Sequence, residues 1–142
     1  MLVLWNIWEF LIILLESFLF FLFINKKLDF RKKIFKWQWC AWLLFSIILF
    51  FLNQMKVSIF YTVFYGIIVH FLITMIFTNS SLFSQFFYVI LYSTYALLAD
   101  VVSAMLPVVL FHENINQVLS GGGIRAVFTL VYLILLGVLI GL

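Results

Sequence analysis

The chain has 142 residues, of which 68% are hydrophobic, 21% aromatic and only 9% charged, with a mean hydropathy of +1.30. That composition excludes a water-soluble domain, because runs such as 10–15 and 18–24 are apolar all round and only lipid can cover every face. The net charge of +3 is no nucleic-acid footprint: residues 25–36 carry six bases and one acid, and the rest of the chain carries two bases and four acids. A focused basic knot beside an apolar run is an orientation signal.

The first apolar run, 2–24, lacks a basic leader and ends in Asn25-Lys26-Lys27 without a small-residue cleavage site, so it reads as a retained helix and not as a signal peptide. The knot follows, with Lys26, Lys27, Arg31, Lys32, Lys33 and Lys36 as interfacial anchors, and Trp37 and Trp39 open the second run as aromatic anchors. Further runs at 37–52, 57–77, 83–111 and 124–142 complete an expected all-α, polytopic transmembrane helix bundle of about five spans in one domain. Asn53-Gln54-Met55-Lys56 is short enough to force a hairpin, and Thr78-Asn79-Ser80-Ser81 offers caps for the next helix. The fourth run exceeds a single span and holds Pro107, which leaves tilt, a kink or an emerging helix open.

The positive-inside rule puts the knot in the cytoplasm and the N-terminus outside, and parity then delivers the end of the fifth span to the cytoplasm of a bacterial cell membrane. Lys56 and Arg125 fall outside under this assignment. The chain stops at Gly141-Leu142 without a polar anchor, which suggests a piece of a longer protein.

Ionisable residues inside apolar runs are costly, so Glu9, Glu16, His70 and Asp100 are the candidate ligand or intramembrane polar site. Glu9 and Glu16 share a face of the first helix, two turns apart. Glu16 and His70 both fall in the inner half of the bilayer, where a hydrogen bond between them would clamp two helices or relay a proton. Asp100 lies beside Ala99, Ser103 and Ala104, small residues that allow close helix approach. It is either a functional acid or a buried acid bonded to a neighbouring helix. His112 and Glu113 read as a solvated loop, and Gly121-Gly122-Gly123, without a following Lys-Ser/Thr, reads as a hinge. Cys40 allows no internal disulfide and has no metal-ligand spacing around it, so no metal and no cofactor are expected.

Leu14-Leu15-Glu16 running through aromatic sequence into Asn25-Lys26-Lys27, then Leu43 to Asn53-Gln54 as a short second span, resembles the N-terminal membrane sensor region of Gram-positive GHKL-type histidine kinases, the group containing peptide-pheromone receptors. Asp100 followed by Val101-Val102-Ser103-Ala104-Met105-Leu106 resembles an acidic position in that family's fourth hydrophobic segment. The resemblance implies a receptor module of a two-component, quorum-sensing type that detects an extracellular peptide or envelope signal and dimerises through its parent kinase. The phosphoacceptor His, the Asn-rich box and the Gly-rich ATP boxes do not occur here, so this chain itself is expected to have no kinase activity. The expected partners are the lipid bilayer and a peptide, not nucleic acid. A small transporter or substrate-binding subunit, or a structural membrane scaffold, are the competing expectations.

Overall fold

The computed structural model describes residues 2–31, 37–54, 59–111 and 123–141; Lys32, Lys33, Lys36, Lys56, His112, Glu113, Gly121 and Gly122 lie outside these. The described residues form five helices: α1 Leu2–Lys27, α2 Gln38–Gln54, α3 Ile59–Phe77, α4 Leu82–Phe111 and α5 Gly123–Leu139. The fold is all-α, as the apolar runs imply.

Each helix departs from its apolar run for a local reason. α1 continues past residue 24 through Asn25, Lys26 and Lys27 because lysines in a last turn favour the helix dipole. α4 begins where Ser81 caps it, its Oγ receiving the Ser84 N–H at 3.3 Å and lying 2.9 Å from the Ser84 hydroxyl. α4 then runs through Pro107 to Phe111 without a break, although the proline withholds the bond that the Ser103 carbonyl would receive. Gly141 closes the end of α5 at φ 73°, the left-handed conformation that glycine adopts without strain.

Two of these helices are long and apolar enough to cross a membrane, Leu4–Lys27 and Leu82–Val109. Gln38–Gln54, Val63–Phe77 and Arg125–Leu139 are shorter apolar helices. The seventeen residues of the first rise roughly 26 Å and the fifteen of each of the others roughly 22 Å, short of the ~30 Å of a hydrocarbon core.

The chain divides into two compact units, Ile13–Ser93 and a second built from Met1–Ile12 with Thr94–Leu142. The first, here the core unit, is organised around aromatic rings. Phe20, Phe45, Val89 and Tyr92 are at most 1% exposed. Phe20 meets Tyr92 at 5.0 Å and Phe45 at 5.7 Å between ring centres, within the range where edge and tilted pairs attract.

Hydrogen bonds join the helices of this unit beside the ring contacts. Between α1 and α2 the buried hydroxyls of Ser17 and Ser46 lie 2.5 Å apart. Each hydroxyl also reaches a carbonyl of its own helix, Ser17 that of Leu14 at 3.0 Å and Ser46 that of Trp42 at 2.8 Å, so either one can donate in the short contact. The Trp42 indole N–H in turn reaches across to the Leu14 carbonyl at 3.0 Å. Trp42 therefore faces α1, whereas Trp37 and Trp39 are about two-thirds exposed, as interfacial anchors would be.

At one end of the core unit, residues 28–31 lie along the α3–α4 turn. Phe30 and Thr78 form an antiparallel bridge, with Arg31 N–H to Phe77 O and Asn79 N–H to Asp29 O both at 2.9 Å. Gln85 secures the turn from α4 through Nε2, donating to Thr78 Oγ1 and Ser80 O at 2.9 Å.

The second, terminal unit buries one narrow face of each of its long helices. Ala99, Ser103 and Pro107 repeat every four residues on α4, and Tyr132 and Leu136 do so on α5.

Candidate functional site

Two polar constellations emerge, and they differ from the pairing expected of the sequence. The first surrounds His70. A carbonyl can only accept, so the 2.7 Å contact from His70 Nδ1 to Gly66 O fixes the proton on Nδ1 and leaves Nε2 as a bare acceptor. Nε2 is buried and has no hydrogen-bond partner among the described residues. Rings from three helices enclose the imidazole: Phe20 of α1 at 4.3 Å, Phe45 of α2 at 4.8 Å and Tyr92 of α4 at 5.7 Å.

The expected Glu16 to His70 hydrogen bond is therefore not made. Tyr92 intervenes, its hydroxyl donating to the Glu16 main-chain carbonyl at 2.8 Å, so Glu16 contributes its backbone to this locus. Below His70, α3 continues as a buried hydroxyl ladder. Thr74 Oγ1 bonds the His70 carbonyl at 2.8 Å, and Thr78 Oγ1 bonds the Thr74 carbonyl at 2.9 Å. These bonds satisfy hydroxyls locally and keep the helix interior dry.

The second constellation lies in the terminal unit and joins Glu9 of α1, Asp100 of α4 and Arg125 of α5. Glu9 Oε1 receives the Trp5 indole N–H at 2.8 Å and stands 3.8 Å from the Arg125 guanidinium. The guanidinium also sits 5.3 Å from the Trp5 ring centre, in cation–π range. Trp8 donates to Thr129 Oγ1 at 3.1 Å, which ties α1 to α5 beside the ion pair. Arg125 is near enough to Asp100 to act on its carboxyl electrostatically.

Asp100 is exposed, while its neighbours Ala99 and Ser103 are buried, so the acid points off the packed face of α4. Ser103 Oγ bonds the Asp100 carbonyl oxygen at 2.9 Å, again engaging backbone and not the carboxylate.

Of the four acids and bases singled out from the sequence, Glu9 and Asp100 thus belong to one cluster, and Glu16 and His70 approach a second. Arg125, Trp5 and Trp8 belong to the first cluster and were not among the expected site residues. A signal for Arg125 was present: a single base inside apolar sequence, on the side that the positive-inside rule disfavours, needs a carboxylate. The two outer tryptophans read as belt residues, yet both indole N–H groups are spent inside the protein. Among the anchors, Lys26, Lys27 and Arg31 are exposed at the end of the core unit, as expected. Among the described residues no group of three or more His, Cys, Asp or Glu is placed to hold a metal ion.

Comparison of the chain with protein-family models, with curated proteins and with solved structures found no match.

Proposed function

We propose that this chain is the membrane-embedded sensor module of a two-component histidine kinase of the Gram-positive GHKL type, and that an extracellular peptide or envelope signal acts on the Glu9–Asp100–Arg125 cluster. The observation that carries this reading is the acid–base–indole group of Glu9, Trp5 and Arg125, drawn from α1 and α5, with Asp100 of α4 within electrostatic reach of Arg125. Glu9 lies 18 residues from Lys27 along α1, and Asp100 lies 18 residues from Leu82 along α4. Each offset is roughly 27 Å, close to the ~30 Å of hydrocarbon. With Lys26 and Lys27 at the cytoplasmic surface, both acids reach the outer one, within range of an external ligand.

The pairing of residues 28–31 with the α3–α4 turn supports the same topology, because parity puts both connections on the cytoplasmic side. We read the chain as five spans with the N-terminus outside, α2, α3 and α5 crossing at the lower limit of length. A ligand that binds one arrangement of the ion pair better than another shifts the bundle between two states.

Reading the coding sequence past Leu142 tests the assignment. A frame that continues into a dimerising kinase domain is the expected result, and a stop codon at the next position contradicts it. A second reading, a small transporter subunit, is favoured by the bare Nε2 of His70, a buried acceptor suited to a passing proton or donor. Proton leak through vesicles holding the chain, abolished by His70→Phe, would select that reading over the first.

A further inference from the structure

The basic end of the core unit is more ordered than an orientation signal requires. Attraction to anionic headgroups needs only charge near the surface, each base gaining about 1 kcal/mol there wherever it points. Here the backbone of residues 28–31 is fixed instead. Two main-chain bonds pair it with Phe77 and Asn79, Asp29 N–H adds a bond to Ser80 Oγ at 3.2 Å, Leu28 is buried, and the Phe30 ring packs at 6.4 Å from Phe77.

The clamp has a consequence for Arg31. Its Nε–H is given to the Thr78 carbonyl at 3.0 Å, which holds the guanidinium plane and leaves the Nη donors at its outer edge. A guanidinium so held is prepared for two parallel bonds to a phosphate, the geometry in which arginine exceeds lysine. Lys26 and Lys27 stand exposed at the end of α1, four to five residues before Arg31 in the chain. With Asp29 as the one acid among residues 26–31, this end carries a local charge of +2.

The anion that fits is amphiphilic. Directly after the turn that Arg31 grips, α4 opens with Leu82 at 60% exposure and Phe83 at 80%, so a strongly apolar surface adjoins the bases. A free phosphate would engage the charges alone; a lipid engages both.

We infer that Arg31, with Lys26 and Lys27, forms a site for the phosphate of an anionic phospholipid whose acyl chains lie along the first turns of α4. The inference requires membrane insertion but not the sensor assignment, and it survives if no kinase follows this chain. The test titrates the purified chain in neutral detergent micelles with phosphatidylglycerol, phosphatidylcholine or inorganic phosphate, following its thermal unfolding. Phosphatidylglycerol is expected to raise the midpoint, with phosphatidylcholine leaving it unchanged and inorganic phosphate acting only at far higher concentration.

Three variants separate a built site from diffuse attraction. Arg31→Gln removes the fork and should weaken phosphatidylglycerol about tenfold. Arg31→Lys keeps the charge, and Ser80→Ala keeps every charge while removing the bond to Asp29; each should weaken it by several-fold, roughly the share of one hydrogen bond. Circular dichroism checks that each variant remains helical. Equal stabilisation by the two lipids would overturn the site, as would undiminished binding by Arg31→Lys and Ser80→Ala together. Inorganic phosphate acting as strongly as phosphatidylglycerol would overturn the lipid assignment.

Discussion

The core unit and the terminal unit handle polar groups in opposite ways. In the core unit nearly every buried hydroxyl is consumed by a backbone carbonyl or another hydroxyl, and the ionisable side chain it buries, His70, is sealed by three aromatic rings. In the terminal unit the ionisable side chains are part-exposed: Glu9 and Arg125 stand 3.8 Å apart with one-fifth and one-third of their side chains exposed, and Asp100 is exposed. Short neutral bonds between packed helices lock a geometry, whereas a long, part-exposed ion pair is worth about 0–1 kcal/mol and changes partner easily. The first arrangement suits holding helices together. The second suits responding to a ligand.

Substitutions that act on one unit alone can break this contrast. The largest effect is expected from Phe20→Ala, which removes the ring that touches Phe45, His70 and Tyr92 and should destabilise the protein by about 3 kcal/mol or more. Unfolding by a denaturing detergent measures it, and a loss below about 1 kcal/mol would mean that the core is loosely packed. Ser17→Ala or Ser46→Ala should each cost roughly 1 kcal/mol, the usual range for a hydrogen bond between membrane helices. The double variant should cost less than the two added together, because either single change already removes the one Ser17–Ser46 contact, while the remaining hydroxyl keeps its bond to the Leu14 or Trp42 carbonyl. Additive losses would show that the two hydroxyls do not act as a pair.

Arg125→Gln should lower stability by less than about 1 kcal/mol in the same assay, yet abolish the response to ligand. A loss as large as that of Phe20→Ala would place Arg125 with the structural residues. The smallest effect is expected at Gly66, where an added Cβ meets no atom within 4 Å and the His70 bond uses only the main-chain oxygen. Gly66→Ala should be neutral or stabilising by up to about 1 kcal/mol, from helix propensity alone.

How much of this the sequence disclosed depends on direction within the bilayer. Levels along the helices were legible, because polar residues interrupt apolar runs at definite positions. The runs at 83–111 and 124–142 became Leu82–Phe111 and Gly123–Leu139, and Ser81 caps α4 as its place in the turn implied. Rotation about the helix axis was not legible. A helix that is apolar on every side has no face to orient it, so nothing indicated that Asp100 would turn away from Ala99 and Ser103, or that Tyr92 would come between Glu16 and His70. Trp42 shows the same effect, since an indole near an interface serves a belt or a helix contact equally well, and here it bonds Leu14.

The claim that the terminal unit responds while the core unit holds is tested most directly at Asp100. With a cytoplasmic kinase domain joined after Leu142, ligand-stimulated autophosphorylation is compared between the wild-type chain and Asp100→Asn, which keeps the shape and removes the charge. A fall of about tenfold in ligand potency at unchanged thermal stability is the expected result, the loss of one charge-assisted contact. Wild-type potency in Asp100→Asn would contradict it.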